Sequence, residues 1–399
     1  MFHNPAIRDR DYRRLFAGAA FHQQGMSGEQ IVIGLMVYEA TGTTAWVGTV
    51  LAIYFVPFFV FGLLSGAVAD WVDRRTLLRR IELATATVIF VYAGVAAGGE
   101  APLWLIAAFS LSAGSLRALH QPVRSSYAYD LVGEENLVSA MGLLNIGSRS
   151  GQLFGALAAG TVMEYHGPAA ALACLGAGHL IAFMMFRDLR AAGIAAVTER
   201  APIRQNIREY LTELCANRLL LLLLLVTASV EIFGFSFATA LPEIATGRLA
   251  VGAEGLGWLQ GTRAFAGIVA GFAFATFGVR SRTGLLYLCI IIGFGCFLVL
   301  LSHPSPLVIT LAAVFLVSCC AASCDILSQS MMQLSVANEL RGRAMGIWVL
   351  ALGFGPLGHL ELGAVSETFG LQGGLLLNGI LLISIAVLVG LFVPRLRRL

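Results

Sequence analysis

Stretches of mostly apolar residues recur along this chain from near Leu15 to near Val393, separated by short turns. A helix needs about 20 such residues to cross the ~30 Å hydrocarbon core of a bilayer, where every backbone polar group must be bonded internally. The chain is therefore expected to be an all-α membrane protein that crosses the bilayer many times. Splitting it at turn residues and charge clusters predicts twelve spans: 13–38, 43–69, 76–98, 102–127, 138–163, 168–187, 217–241, 254–277, 283–302, 306–332, 343–366 and 372–393. Only 12% of the residues are charged and 58% are hydrophobic, whereas a soluble domain carries about 25% charge. That leaves no segment for a conventional enzyme fold.

The first apolar run is long and interrupted by Gly25, Glu29 and Gly34, so it reads as a permanent first helix and not as a cleaved signal. Of the seven cysteines, Cys174, Cys289, Cys296, Cys319, Cys320 and Cys324 lie in apolar runs and read as small packing residues. Cys320 and Cys324 share a helix face, but neither a metal nor any other cofactor is expected from them.

All 26 basic residues are arginines, and they gather on one side. With a cytoplasmic N-terminus, the turns on that side hold Arg74, Arg75, Arg79 and Arg80, then Arg280 and Arg282, then Arg341 and Arg343. The opposite turns hold Gly98 to Glu100, Glu164 to His166, Glu243 to Glu254 with the single Arg248, His303 and Glu367. This positive-inside pattern implies a multi-pass inner (plasma) membrane protein with both termini cytoplasmic. The net charge of +3 gives no reason to expect a nucleic-acid partner. The most polar stretch, 188–213, reads as a cytoplasmic linker between a six-helix bundle over 1–187 and a second over 214–399. The halves echo one another: Ala140-Met141-Gly142 reappears as Ala344-Met345-Gly346 after 204 residues. Repeated halves around a central site are a transporter device.

The turn after the second span reads Gly66-Ala67-Val68-Ala69-Asp70-Trp71-Val72-Asp73-Arg74-Arg75. It resembles the signature loop of the major facilitator superfamily. The resemblance implies two pseudo-symmetric six-helix bundles and a cytoplasmic gate in which Gly66, Asp70, Arg74 and Arg75 take part. The equivalent turn of the second half, Gly278-Val279-Arg280-Ser281-Arg282, lacks the aspartate. Gly147, Gly151, Gly155 and Gly160 are similar to the glycine-rich fifth helix of exporters in that superfamily, with Gln152 where their motif has proline. Pro122, Arg124, Asp130-Leu131-Val132, Glu135-Asn136 and Ala140 resemble the branch of bacterial macrolide and catecholate-siderophore exporters.

An ionisable side chain at membrane depth costs several kcal/mol unless it faces a cavity or a partner. Glu29 lies about 22 Å along its helix from Arg14 and Glu231 about 20 Å from Arg218, at 1.5 Å per residue. The resemblance implies that their two helices are symmetry-related and line a central cavity. Glu29 is the first candidate for proton or cation coupling, Glu231 the second and Asp325 an alternative; each also has a purely structural reading as a bonded carboxyl. Arg117, His120 and Arg124 fall on one stripe of the fourth span. With His22, Gln23, Arg149, Gln152 and Gln329, Arg117 and His120 are the expected polar lining of a substrate cavity.

The function expected is secondary active transport of an amphipathic small molecule, such as a drug, siderophore or lipid-like compound, by proton-coupled efflux, with the protein acting as a monomer. The alternative is an importer or facilitator of a polar or anionic metabolite held by Arg117, Arg149 and Arg263. No metal-ligand helix motif and no nucleophile with its base occurs, so the chain is not read as an enzyme.

Overall fold

The computed structural model describes residues 8–71, 73–99, 101–191, 214, 217–277, 282–335 and 341–397, with side chains outside the description at 59–71, 122, 126, 129, 133–139, 142, 275–277, 333–334 and 341–346. Gly66 and Asp70 of the expected gate are described in backbone only, and nearly all of the expected linker lies outside what is described.

Among the described residues the regular structure is helical throughout. The elements are α1 (Arg10–Thr41), α2 (Thr44–Trp71), α3 (Arg74–Ala97), α4 (Leu103–Arg187), α5 (Arg218–Phe233), a 3₁₀ turn (Phe235–Ala240), α6 (Leu241–Glu243), a π-turn (Ile244–Arg248), α7 (Gly252–Phe277), α8 (Thr283–Ser302), α9 (Leu307–Leu334), α10 (Arg341–Leu352), α11 (Gly355–Phe392) and α12 (Pro394–Arg397). Among the described residues, seven helical stretches are long and apolar enough to cross a membrane, and two of them, Leu143–Arg187 and Ile347–Phe392, have length for two crossings each. Large apolar side chains such as Trp104, Phe154, Phe272 and Val308 lie exposed on the outer surface, as a lipid-facing surface requires and a water-facing one penalises.

The 85 residues of α4 cannot form one straight rod in a bilayer. Arg124 Nη1 donates to Ser148 Oγ at 2.8 Å across 24 residues, a separation of about 36 Å on a straight helix, so the chain turns back between them. It turns again at Gly167, whose φ of 78° only glycine adopts freely. Likewise α11 breaks at Gly370, φ 72°, and Asn378 Nδ2 reaches Glu361 Oε2 at 3.1 Å across that break. Both glycines fall in turns predicted from the sequence, and they lie 203 residues apart, close to the repeat offset of the sequence.

The chain separates into two compact units. The first comprises Met1–Met36, Val60–Ala201 and Gly252–Gly261. Its core gathers Tyr12, Leu15, Ala19, Leu78, Val123, Tyr127, Ala140, Leu144 and Phe186. Close helix approach comes from glycine. A Cβ at Gly147 would stand 2.7 Å from the Phe16 ring, at Gly151 2.9 Å from the Ala20 carbonyl carbon, and at Gly155 2.7 Å from Gln24 Cα. Three glycines of the stripe read from the sequence thus form the face on which α4 packs against α1, while the fourth, Gly160, faces Gly257 of α7. At the arginine-rich end Asp73 caps α3 by accepting from Arg75 N at 3.2 Å. Arg79 donates to the carbonyls of Phe186, Arg187 and Leu189 at 2.9, 2.6 and 2.8 Å, satisfying the open carbonyls at the end of α4.

The second unit comprises Val37–Phe59, Pro202–Val251 and Thr262–Leu399. Here α8 packs on α11 through facing glycines: a Cβ at Gly295 would meet the Gly379 carbonyl oxygen at 2.6 Å, and one at Gly379 the Gly295 carbonyl oxygen at 2.7 Å.

Candidate functional site

The first unit contains a cluster of ionisable side chains with almost no exposure, contributed by three helices. α1 supplies His22 and Glu29, seven residues apart and so on one face. α3 supplies Glu82, and α4 supplies His120 and His179. Opposite α1, the last part of α4 runs antiparallel: Gly18 faces Phe186, Gly25 faces His179 and Gly28 faces Leu175. A Cβ at Gly25 would collide with the His179 imidazole, so the absence of a side chain there makes the room in which that ring sits.

Glu82 is the hub. Its Oε1 lies 2.6 Å from His22 Nδ1 and 3.3 Å from His120 Nε2, and its Oε2 lies 2.8 Å from His179 Nδ1. His179 Nε2 in turn lies 3.3 Å from Glu29 Oε1. The rings of His22 and His120 stack at 3.5 Å with 9° between their planes, and His22 meets His179 edge-on at 5.3 Å. Arg117 is close enough to His22 to act on it electrostatically. The result is a chain of alternating carboxylates and imidazoles, Glu29, His179, Glu82 and His22, inside an apolar bundle. Such groups are retained at membrane depth only when each has a partner.

The second unit holds a different constellation. Glu231 on α5 is buried and interacts electrostatically with Asp325 on α9. Gly355, at the start of α11, faces this pair, with a built Cβ 3.8 Å from Glu231 Oε2. Thr227 and Tyr287 pair through their hydroxyls at 3.4 Å one turn earlier on α5. Ser328 lies one turn beyond Asp325 on α9 and accepts from Trp348 Nε1 at 3.2 Å. Further along the unit, His359 Nδ1 lies 2.8 Å from Thr239 Oγ1 and its ring stacks on Phe55 at 5.3 Å. The Arg263 guanidinium sits over the Phe237 ring at 4.8 Å.

Of the residues expected from the sequence, His22, His120 and Glu29 come together in the first unit, with Arg117 beside them. Glu231 and Asp325 interact electrostatically in the second. Gln23 is buried, Gln329 is half-buried, and Arg149 donates to Gln152 Oε1 at 3.2 Å. Of the expected gate, Arg74 pairs with Asp130 at 2.6 Å, and Arg75 bonds the Arg190 carbonyl at 2.9 Å.

Two members of the first cluster escaped the sequence reading. Glu82 follows Arg79 and Arg80 so closely that it reads as part of the basic turn, and His179 lies in a span noted only for its length. Both were within reach of the rule applied elsewhere, that any ionisable residue inside an apolar span needs a partner.

A search of the curated proteins gives no match. Solved structures with the same fold include the nucleoside transporter NupG, at a TM-score of 0.73 and 15% identity, covering 95% of this chain and 98% of that one. They also include the peptide transporter POT in complex with sulfate, at 0.79 and 14% identity with coverage of 98% and 95%. A third is a bacterial homologue of the human lysosomal transporter Spinster in an inward-facing and unoccupied conformation, at 0.73 and 15% identity with coverage of 98% of both chains. The sequence model of the Major Facilitator Superfamily matches residues 15–246, more than half the chain and the stretch that carries the whole histidine–glutamate cluster. Apolar helices of membrane length, a backbone shared with these transporters and that match together make this multi-pass membrane protein a member of the Major Facilitator Superfamily.

Proposed function

We propose that the chain is a secondary active transporter that moves an amphipathic small molecule across the inner membrane by alternating access, exporting it against inward proton flow. The observation that carries this reading is the pairing of Glu231 with Asp325 on membrane-spanning helices. Two carboxylates side by side in an apolar medium cannot both hold their charge cheaply. A pair so placed is the kind of group whose charge a change in surroundings can alter, which is the property a coupling site needs. Glu29, with His179 at 3.3 Å, is read as a partner of the imidazoles, and the coupling role is assigned to Glu231 and Asp325.

The domain reading belongs to the same proposal: bundles over 1–187 and 214–399, a linker over 188–213, cytoplasmic termini, a monomer, and a gate formed by Gly66, Asp70, Arg74 and Arg75. So does the likeness to macrolide and siderophore exporters. Arg149 is engaged by Gln152 and Arg263 by the Phe237 ring, which supports an amphipathic cargo over an anion held by bare arginines. Gln23, Gln152 and Gln329 remain the proposed polar lining on the substrate side, with His22 and His120 withdrawn into the buried cluster.

The test is transport of a hydrophobic dye by proteoliposomes with and without an imposed pH gradient, for the native protein, Glu231→Gln and Asp325→Asn. Gradient-dependent movement, lost in both variants while dye binding persists, is the expected result. Dye movement indifferent to the gradient, or unchanged in both variants, would sink the proton-coupled reading.

A further inference from the structure

We infer that His22, Glu82 and His179 form a binding site for a divalent transition-metal ion of the zinc class, seated inside the helix bundle of the first unit and separate from the Glu231–Asp325 pair. The sequence alone suggested no metal, because its three ligands are scattered over 157 residues with none of the close spacing that marks a metal motif.

One ring nitrogen each of His22 and His179 and one carboxylate oxygen of Glu82 all lie within 4.8 Å of one another, and each residue is buried. Two imidazoles and one carboxylate are a ligand set that zinc and its first-row neighbours take up. At metal–ligand distances of about 2.0–2.2 Å, the donors around one ion stand roughly 3.3 Å apart. The Nδ1 contacts of 2.6 and 2.8 Å, to Oε1 and Oε2 of Glu82 respectively, would open by about half an ångström, and the widest donor separation, 4.8 Å at most, would close by up to about 1.5 Å to seat the ion.

The surroundings are those of a built site. His179 turns Nδ1 inward while its Nε2 faces the Glu29 carboxylate at 3.3 Å. That is the outer carboxylate that fixes the tautomer and orientation of a ligating histidine. Gly25 leaves the space in which the His179 ring stands, and a side chain there would strike it. Charge points the same way. A dication offsets the two carboxylates, Glu82 and Glu29, without charging a histidine, which suits an apolar interior.

The experiment uses the full chain purified in detergent, stripped with a chelator, reloaded with Zn²⁺ or Co²⁺ and desalted. One retained zinc per chain is expected. The cobalt form should show visible d–d bands of a nitrogen–oxygen site without thiolate-to-metal charge transfer, which excludes the cysteines as ligands. His179→Asn should lose the retained ion. Glu29→Gln, which removes the outer carboxylate and no ligand, should weaken binding by about 10–100-fold. Absence of retained metal in the native protein, thiolate charge transfer in the cobalt spectrum, or full retention by folded His179→Asn would each overturn the assignment. Because the cobalt spectrum is read on the native chain, the inference stands or falls even if the variants fail to fold. The assay is independent of transport, so it is decided apart from the proton-coupling reading.

Discussion

His179 Nδ1 lies 2.8 Å from Oε2 of Glu82, joining two residues 97 positions apart with essentially no solvent access to either. Removing one partner of such a buried pair leaves the other uncompensated, typically at about 3–5 kcal/mol. Glu82→Ala should therefore destabilise the first unit by about that amount, and Glu82→Gln, which keeps the shape and one acceptor, by less. Thermal unfolding of the detergent-solubilised chain reads the difference; equal melting of Glu82→Ala and the native protein would show that the cluster contributes nothing to stability.

Gly25→Ala is the smallest change that disturbs the same cluster from the opposite helix. Its Cβ would overlap the His179 ring, and overpacking of this kind costs about 1–3 kcal/mol. The same substitution at Gly94, where a Cβ meets nothing within 4 Å, should not destabilise. If the two variants melt alike, the fit between Gly25 and His179 is not what limits packing there.

Gly151→Val tests the α1–α4 contact. The atom facing Gly151 is backbone, with the built Cβ 2.9 Å from the Ala20 carbonyl carbon, so no side chain can move aside. The variant should lose folded yield or melt earlier than Gly147→Ala, where the neighbour is the movable Phe16 ring at 2.7 Å. Size-exclusion profiles and melting curves of the two variants check the order.

Arg79→Ala removes donors from three carbonyls at the end of α4. Hydrogen bonds from a charged donor contribute about 1.5–3 kcal/mol, and a cation is favoured at a helix C-terminus. A loss near ~2 kcal/mol is expected, with Arg79→Lys recovering only part because an ammonium cannot reproduce the guanidinium fork. Hydrogen exchange at amides near 183–191 should rise in Arg79→Ala; unchanged exchange would mean that the helix end is held by other contacts.

If Glu231 and Asp325 act as one unit, their variants should not add. Transport by Glu231→Gln/Asp325→Asn should be close to that of the worse single variant. Independent, multiplicative losses in a double-mutant cycle would separate the two residues into different roles.

Much of the architecture was legible because membrane insertion acts on local sequence. The turns at Gly167 and Gly370 fell where apolar runs end, and the glycine stripe of Gly147, Gly151 and Gly155 announced a helix-contact face. What that stripe would touch was not legible: Phe16, Ala20 and Gln24 carry no mark in the sequence that they are its partners. Glu29 and His22 were recognisable as costly residues needing company, yet the company, Glu82 and His179, came from helices whose orientation about their own axes no single span reveals.

The sequence by itself determined that this chain is helical and membrane-embedded, where several of its turns fall and which ionisable residues must find partners, because hydrocarbon imposes those demands on each segment separately. Only the tertiary structure decided that Glu29, Glu82, His22, His120 and His179 share one cluster, and that Glu231 answers to Asp325. Partner choice depends on the rotation and register of helices packed against one another, a property of the assembled bundle that no stretch of sequence contains.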